Sequence, residues 1–144
     1  RMILRAMAGK SLPVYGNGSH TREWLNVSEH AEALFLALIK GKVGRSYNIG
    51  SGHMCSNLDL LNKICAIMDA IQPMPNGRHD DKVCFVNDRP GHDEKYAIDS
   101  TRARSELGWK SNLTFELGLK NTVSWYIENA RAWKPSLDYL ESLG

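Results

Sequence analysis

Apolar residues recur at helical spacing in three stretches of this 144-residue chain, and every extended run between them is short. Ala31, Leu34, Phe35, Leu38 and Ile39 form the first series. Leu61, Ile64, Cys65 and Met68 form the second, and Phe115, Leu119, Val123, Tyr126 and Ile127 the third. Steps of three and four residues return a side chain to one face of an α-helix, so each series predicts a helix with that face in the core. Ser28 stands where it can cap the first helix, Ser56 or Asn57 the second, and Thr114 the third. Gly41 and Gly44 end the first. The runs Leu12-Pro13-Val14-Tyr15, Trp24-Leu25-Asn26-Val27, Ser46-Tyr47-Asn48-Ile49, Val83-Cys84-Phe85-Val86 and Tyr96-Ala97-Ile98-Asp99 read as extended pieces or strands. Pro13 lacks a backbone donor and makes its strand an edge. A short helix over 101–107 stops at Gly108, and a further short helix or tail follows Trp133 and Pro135. Short strands interleaved with about four to five helices predict a small mixed α/β (α+β) domain.

Residues 1–8 read as the end of a helix, with Ile3, Leu4 and Met7 on one side and Gly9 closing it. No capping residue precedes them. This predicts that residues 1–9 are a remnant of a preceding domain, and that the chain begins inside a larger protein. Gly16-Asn17-Gly18 is a turn, and 73–77 a loop rich in Pro and Gly.

Composition narrows the function classes. A net charge of +2, with basic residues scattered, does not make the footprint of a nucleic-acid binder. No stretch reaches the roughly 18 apolar residues that a membrane helix needs. Arg5 interrupts the only apolar run near the start, which is therefore no signal peptide. Cys55, Cys65 and Cys84 are odd in number and unevenly spaced, which predicts free thiols and a reducing cytoplasm.

Chemistry concentrates in two places. Asp88-Arg89-Pro90-Gly91-His92 puts a fixed cation in a turn, and Tyr15-Gly16-Asn17-Gly18 is followed by Arg22-Glu23-Trp24. Pro90 forces Arg89 out of helical geometry, and Gly91 frees the backbone beside it. A guanidinium grips phosphate through two parallel hydrogen bonds and keeps its charge, so two such arginines predict a diphosphate ligand. Each residue also has a plainer reading. Arg22 can be a solvated surface residue, and Asp88 can simply pair with Arg89. Asn57 can be a helix cap, which does not exclude a phosphate contact at a helix start. Tyr15 can stack on a ligand or cover the core, and His92 can donate beside Arg89 or be structural. No second ligand pair accompanies His53-Met54-Cys55 at zinc spacing, and adjacent Asp93 and Glu94 face opposite ways in extended backbone. No Gly-x-Ser-x-Gly elbow is present.

Several of these segments, in order and at similar spacing, resemble the C-terminal part of the dTDP-glucose 4,6-dehydratases. These belong to the NAD-dependent epimerase/dehydratase family, the extended short-chain dehydrogenases/reductases. The segments are Leu12 through Trp24-Leu25, Tyr47-Asn48-Ile49-Gly50, Asp88-Arg89-Pro90-Gly91-His92, Tyr96-Ala97-Ile98-Asp99 and Glu106-Leu107-Gly108-Trp109. The resemblance implies that residues 1–144 form the substrate-binding lobe without the Rossmann domain. It implies a nucleotide diphosphate sugar as ligand. Pro13 and Tyr15 would lie near the base or its sugar, Arg22 and Arg89 on the diphosphate, and Asn57 and His92 would assist. Asn26 stands where that family usually has an aromatic residue. The family's cofactor is NAD, but its Gly-rich fingerprint and Tyr-x-x-x-Lys pair do not occur in this sequence. The expected function is therefore a binding lobe that does not turn over alone. The alternatives are a half-enzyme complemented in trans by an NAD-binding lobe, and a self-associating interaction domain whose lobe-facing surface is apolar.

Overall fold

The structure, a computed structural model, describes residues 1–142. In chain order the elements are α1 (Met2–Met7), β1 (Leu12–Tyr15), β2 (Thr21–Glu23), α2 (Val27–Lys40), β3 (Met54–Ser56), α3 (Asn57–Ile71), β4 (Val83–Val86), α4 (Phe115–Glu128) and α5 (Lys134–Ser142). Short helical turns lie at His79–Lys82, Ala103–Leu107 and Ala130–Trp133. This is the mixed α/β class with few short strands that the residue pattern predicts. No helix among the described residues is long and apolar enough to cross a membrane.

The strands form two separate pairs. β1 runs parallel to β4, with Leu12 opposite Val83 and Tyr15 opposite Val86. β2 runs antiparallel to β3, with Arg22 opposite Cys55. The main core gathers Ile3 and Ala6 of α1, Leu12 and Val14 of β1, Leu61, Ile64, Cys65 and Met68 of α3, and Val123 of α4. The second and third apolar series thus face inward as their spacing demands. Ser56 caps α3 by accepting from the Asp59 N–H at 3.0 Å, and Thr114 caps α4. The three cysteines are free thiols, and burial pushes Cys65 up to about 11.

α2 departs from the expectation. Its buried residues are Glu29 and Ala33, which join a second core of Ala103, Leu107 and Trp109 with Leu25, Leu36, Ala37, Tyr47 and Ile49 around it. Leu34, Phe35, Leu38 and Ile39 are instead 58%, 59%, 81% and 56% exposed. The helix carries two apolar faces. The narrow one, built on small alanines, admits close approach of the 101–107 helix, and no element among the described residues covers the broad one. Its cap also differs: Asn26, not Ser28, accepts from the Ser28 N–H at 3.0 Å.

Two predicted strands are irregular. Residues 46–49 have no ladder partner among the described residues, although Tyr47 and Ile49 pack into the second core. Residues 96–99 are held by single bonds: Lys95 bridges Thr21, and the Ile98 N–H donates to Glu23 Oε2 at 2.9 Å.

One carboxylate ties the second core to α4. Glu29 accepts from the Ser111 hydroxyl at 2.7 Å and from the Asn112 and Leu113 N–H groups at 2.6 and 2.7 Å. Its own carbonyl accepts from the Trp109 indole at 3.2 Å. Burial pushes this carboxyl up, but the hydrogen bonds from Leu113, Ser111 and Asn112 together hold it below its ordinary value of 4.5. Replacing Glu29 with Ala is expected to cost about 2 kcal/mol of unfolding free energy at pH 7, the scale of hydrogen bonds to a charged acceptor. Because the folded value is depressed, the carboxylate's contribution is complete above the unfolded value and is lost as pH falls through the folded one. The difference between wild type and Glu29→Ala in urea denaturation should therefore shrink as pH falls through the depressed folded value; a gap that does not change with pH would show that packing, not charge, carries the effect.

Candidate functional site

The parallel register brings the carboxyl ends of β1 and β4 side by side, and both strands leave the sheet there as turns. Open α/β sheets place ligands beyond such ends, where diverging loops leave backbone groups exposed. The Gly16 N–H still donates to the Val86 carbonyl at 2.9 Å, and the chain then reverses through Gly18 at φ +78°. A Cβ on Gly18 would stand 2.7 Å from Leu58 Cβ and 2.8 Å from Val14 Cγ1. Only a glycine lets this turn rest on the start of α3. There the Leu58 N–H donates to the Gly18 carbonyl at 3.1 Å, and the Asn57 N–H to the His20 carbonyl at 2.9 Å.

Asp88 is the centre of the site. One carboxylate oxygen lies 2.7 Å from His92 Nδ1 and the other 3.0 Å from His20 Nε2. The two imidazoles stack, with ring centroids 3.9 Å apart and planes inclined by 18°. The hydrogen bond from His92 comes first in holding the Asp88 carboxyl below its ordinary value. Asp88 thus pairs with two histidines and not with the Arg89 guanidinium; Arg89 contributes only its N–H, at 2.8 Å.

Arg22 is half-buried and already well occupied. Its Nη1 donates to the carbonyls of Thr21 at 2.8 Å and Glu94 at 3.3 Å. Its Nη2 donates to the Asp93 carbonyl at 2.8 Å and meets His92 Nε2 at 3.0 Å. Four of the five N–H groups of the guanidinium are used in these contacts, and Nε–H is left. The cation also lies over the Tyr96 ring, 4.7 Å from its centroid. The Tyr96 hydroxyl donates to the Asp93 carboxylate. That bond, then the carboxylate's charge, pushes the phenol up, while Arg22 and Arg89 both pull it down. The Arg89 guanidinium is exposed and makes no hydrogen bond or ion pair among the described residues.

The remaining predicted residues fall at this end to differing degrees. Tyr15 is exposed and presents its ring edge-on to His92, with centroids 6.1 Å apart. Pro13 shares a strand face with Tyr15, two residues further from the turn. Asn57 is joined to the cluster through backbone only.

His20 is what sequence reasoning passed over. The usable signal was spacing: His20 and Arg22 are two residues apart in an extended stretch and so point to one side. His20, Asp88 and His92 could be counted as three metal ligands. Their geometry argues otherwise. An ion must lie near the plane of each imidazole that binds it, and stacked rings cannot both meet that demand. Arg22 also places a fixed cation against the far nitrogen of His92.

A family model described as GDP-mannose 4,6 dehydratase matches residues 1–122. The chain belongs to this family. It is 46% identical over 142 residues to a probable dTDP-glucose 4,6-dehydratase of Sinorhizobium fredii, a match covering 98% of this chain and 40% of that protein. Among solved structures it is similar to the dTDP-glucose 4,6-dehydratase of Bacillus anthracis in complex with NAD. That match has a TM-score of 0.79 and 36% identity, and it covers 93% of this chain and 40% of the other. It is also similar to the UDP-glucose 4-epimerase of Thermotoga maritima with UDP-glucose, at a TM-score of 0.73 and 25% identity over 90% of this chain and 38% of the other. The chain thus spans about 40% of the length of these family members.

Asp88→Asn leaves one acceptor oxygen where two imidazoles each need one. Hydrogen exchange of the backbone amides over 89–96 is expected to accelerate, while amides of α3 keep their protection. Unchanged exchange in that turn would show that the carboxylate does not hold it.

Proposed function

We infer that this chain is the nucleotide-sugar-binding lobe of a 4,6-dehydratase acting on a dTDP-glucose-like substrate. The reading rests above all on the gathering of Arg22, Arg89 and His92 around one turn, beyond the carboxyl ends of β1 and β4. A pyrophosphate there meets a fixed charge in Arg22 and an unengaged fork in Arg89, which supplies the two parallel hydrogen bonds. Asn57 opens a 15-residue helix whose first amides are engaged by His20, Gly18 and Ser56, so what it offers an anion is the positive field of the helix start. Tyr15, with Pro13 on the same face, offers a flat apolar surface to the base or its sugar. The whole described chain acts in this reading as a single lobe, and its free thiols suit a reducing cytoplasm. The redox cofactor and the groups that remove and return hydride belong to the rest of the enzyme, so binding without turnover is the activity of this chain alone.

A second reading has its own observation. Leu34, Phe35, Leu38 and Ile39 form one exposed apolar stripe on α2, the kind of surface that marks an interaction site. It fits a protein partner, whether the NAD-binding remainder of the enzyme supplied in cis or in trans, or a second copy of the chain.

Isothermal titration separates the terms. dTDP and dTDP-glucose are expected to bind with a dissociation constant on the order of 0.1–1 mM, weak because much of the pocket wall lies outside this chain. Thymidine, lacking phosphate, should give no heat, and Arg89→Glu should remove the heat of dTDP. No heat from wild type at millimolar dTDP, or wild-type binding by Arg89→Glu, would overturn the reading. The double variant Phe35→Glu, Leu38→Glu should be monomeric by light scattering under conditions where wild type self-associates, with its dTDP heat unchanged. Equal molar masses for the two proteins would exclude the stripe as the surface of assembly.

A further inference from the structure

We propose that His20 is a positioning residue that sets the tautomer of His92, and through it the seat of Arg22. The argument begins with the one group whose protons are certain. A guanidinium only donates, so His92 Nε2, 3.0 Å from Arg22 Nη2, carries a lone pair. The proton of a neutral His92 is then on Nδ1, where it is donated to Asp88 at 2.7 Å. The opposite tautomer would set an N–H against an N–H of a cation and expel Arg22 from its place.

What enforces that tautomer is the orientation of Asp88, and His20 is the second donor to Asp88. His20 Nε2–H donates to the other oxygen at 3.0 Å, so the carboxylate is held at both ends and cannot turn away from His92. The His20 ring also forms the face on which His92 lies flat. His20 is itself fixed from the core side. It is 7% exposed, and its carbonyl accepts from the first amide of α3. Its Nδ1 is buried without a hydrogen-bond partner, which agrees with a ring whose useful nitrogen is Nε2. The order of dependence therefore runs from α3 to His20, Asp88, His92 and Arg22, each step a named hydrogen bond. Two rings with complementary protonation, Nε2–H on His20 and Nδ1–H on His92, share one carboxylate.

Long-range proton–nitrogen correlation spectra of histidine-labelled protein read both tautomers directly, without any ligand. Wild type should show Nδ1–H for His92 and Nε2–H for His20. His20→Phe keeps the stacking face but removes the donor, and it should move His92 toward the Nε2–H form. His20→Gln retains an N–H donor for Asp88 and should restore Nδ1–H. A side chain that merely filled space would change melting temperature without moving the His92 signal. The affinity arm rests on the nucleotide-binding reading above: His20→Phe should weaken dTDP about tenfold, the loss of one charge-assisted hydrogen bond, and His20→Gln should recover it. An Nε2–H form of His92 in wild type, or an unshifted His92 in His20→Phe, would overturn the proposal. If His20→Phe does not fold, the wild-type spectrum and His20→Gln still decide it. If wild type gives no dTDP heat, the nucleotide reading fails while the tautomer spectra continue to test this one.

Discussion

The clamp of Arg22 on the carbonyls of Thr21, Asp93 and Glu94 is the interaction from which the turns beyond β1 and β4 take their shape. The segment after β4 has almost no ladder: a single bridge joins Lys95 to Thr21. The Glu94 carbonyl accepts from the Thr21 N–H at 2.8 Å, and the Asp93 carbonyl, outside that bridge, is answered by Arg22. A guanidinium answers several such carbonyls at once because its donors are fixed in a plane. A cation engaged by carbonyls keeps its field but has one N–H group left, whereas the Arg89 fork stays exposed on the turn.

A similar economy governs the second core. Glu29 sits in the first turn of α2, where the helix field favours a negative charge, and gathers three donors from the segment leading into α4. The largest fully buried side chain, Trp109, donates to the carbonyl of the same residue. Two cores built on different helices are thus joined by polar bonds, with α4 packing on the first and held in place from the second.

Some of this was legible in the residue pattern. The series Leu61, Ile64, Cys65 and Met68 faces inward because α3 has one apolar face and that face meets β1 and α4. The turn over 88–92 stood out because Pro90 and Gly91 constrain backbone regardless of tertiary context. α2 misled for a physical reason: periodicity reveals that a face is apolar but not what lies opposite, and here no element among the described residues covers the bulkier face. The run at 46–49 has strand-like side chains but no partner to pair with, and pairing is a property of two segments. His20 was missed because its importance lies in Asp88, which is 68 residues away. On the sequence alone Asp88 can pair with its neighbour Arg89, whereas its partners are His92, four residues on, and His20 from across the fold.

The missing Cβ at Gly18 carries a consequence for how this protein can vary. Val14 belongs to the hydrophobic interior and Leu58 packs against it, yet both abut the turn from which His20 hangs. Enlarging either one would push on that bend just as a methyl group at position 18 would. Substitutions that look like ordinary repacking of aliphatic side chains would then surface as a displaced His20, and the interior and the Asp88 cluster are mechanically coupled through a space barely wide enough for one hydrogen atom.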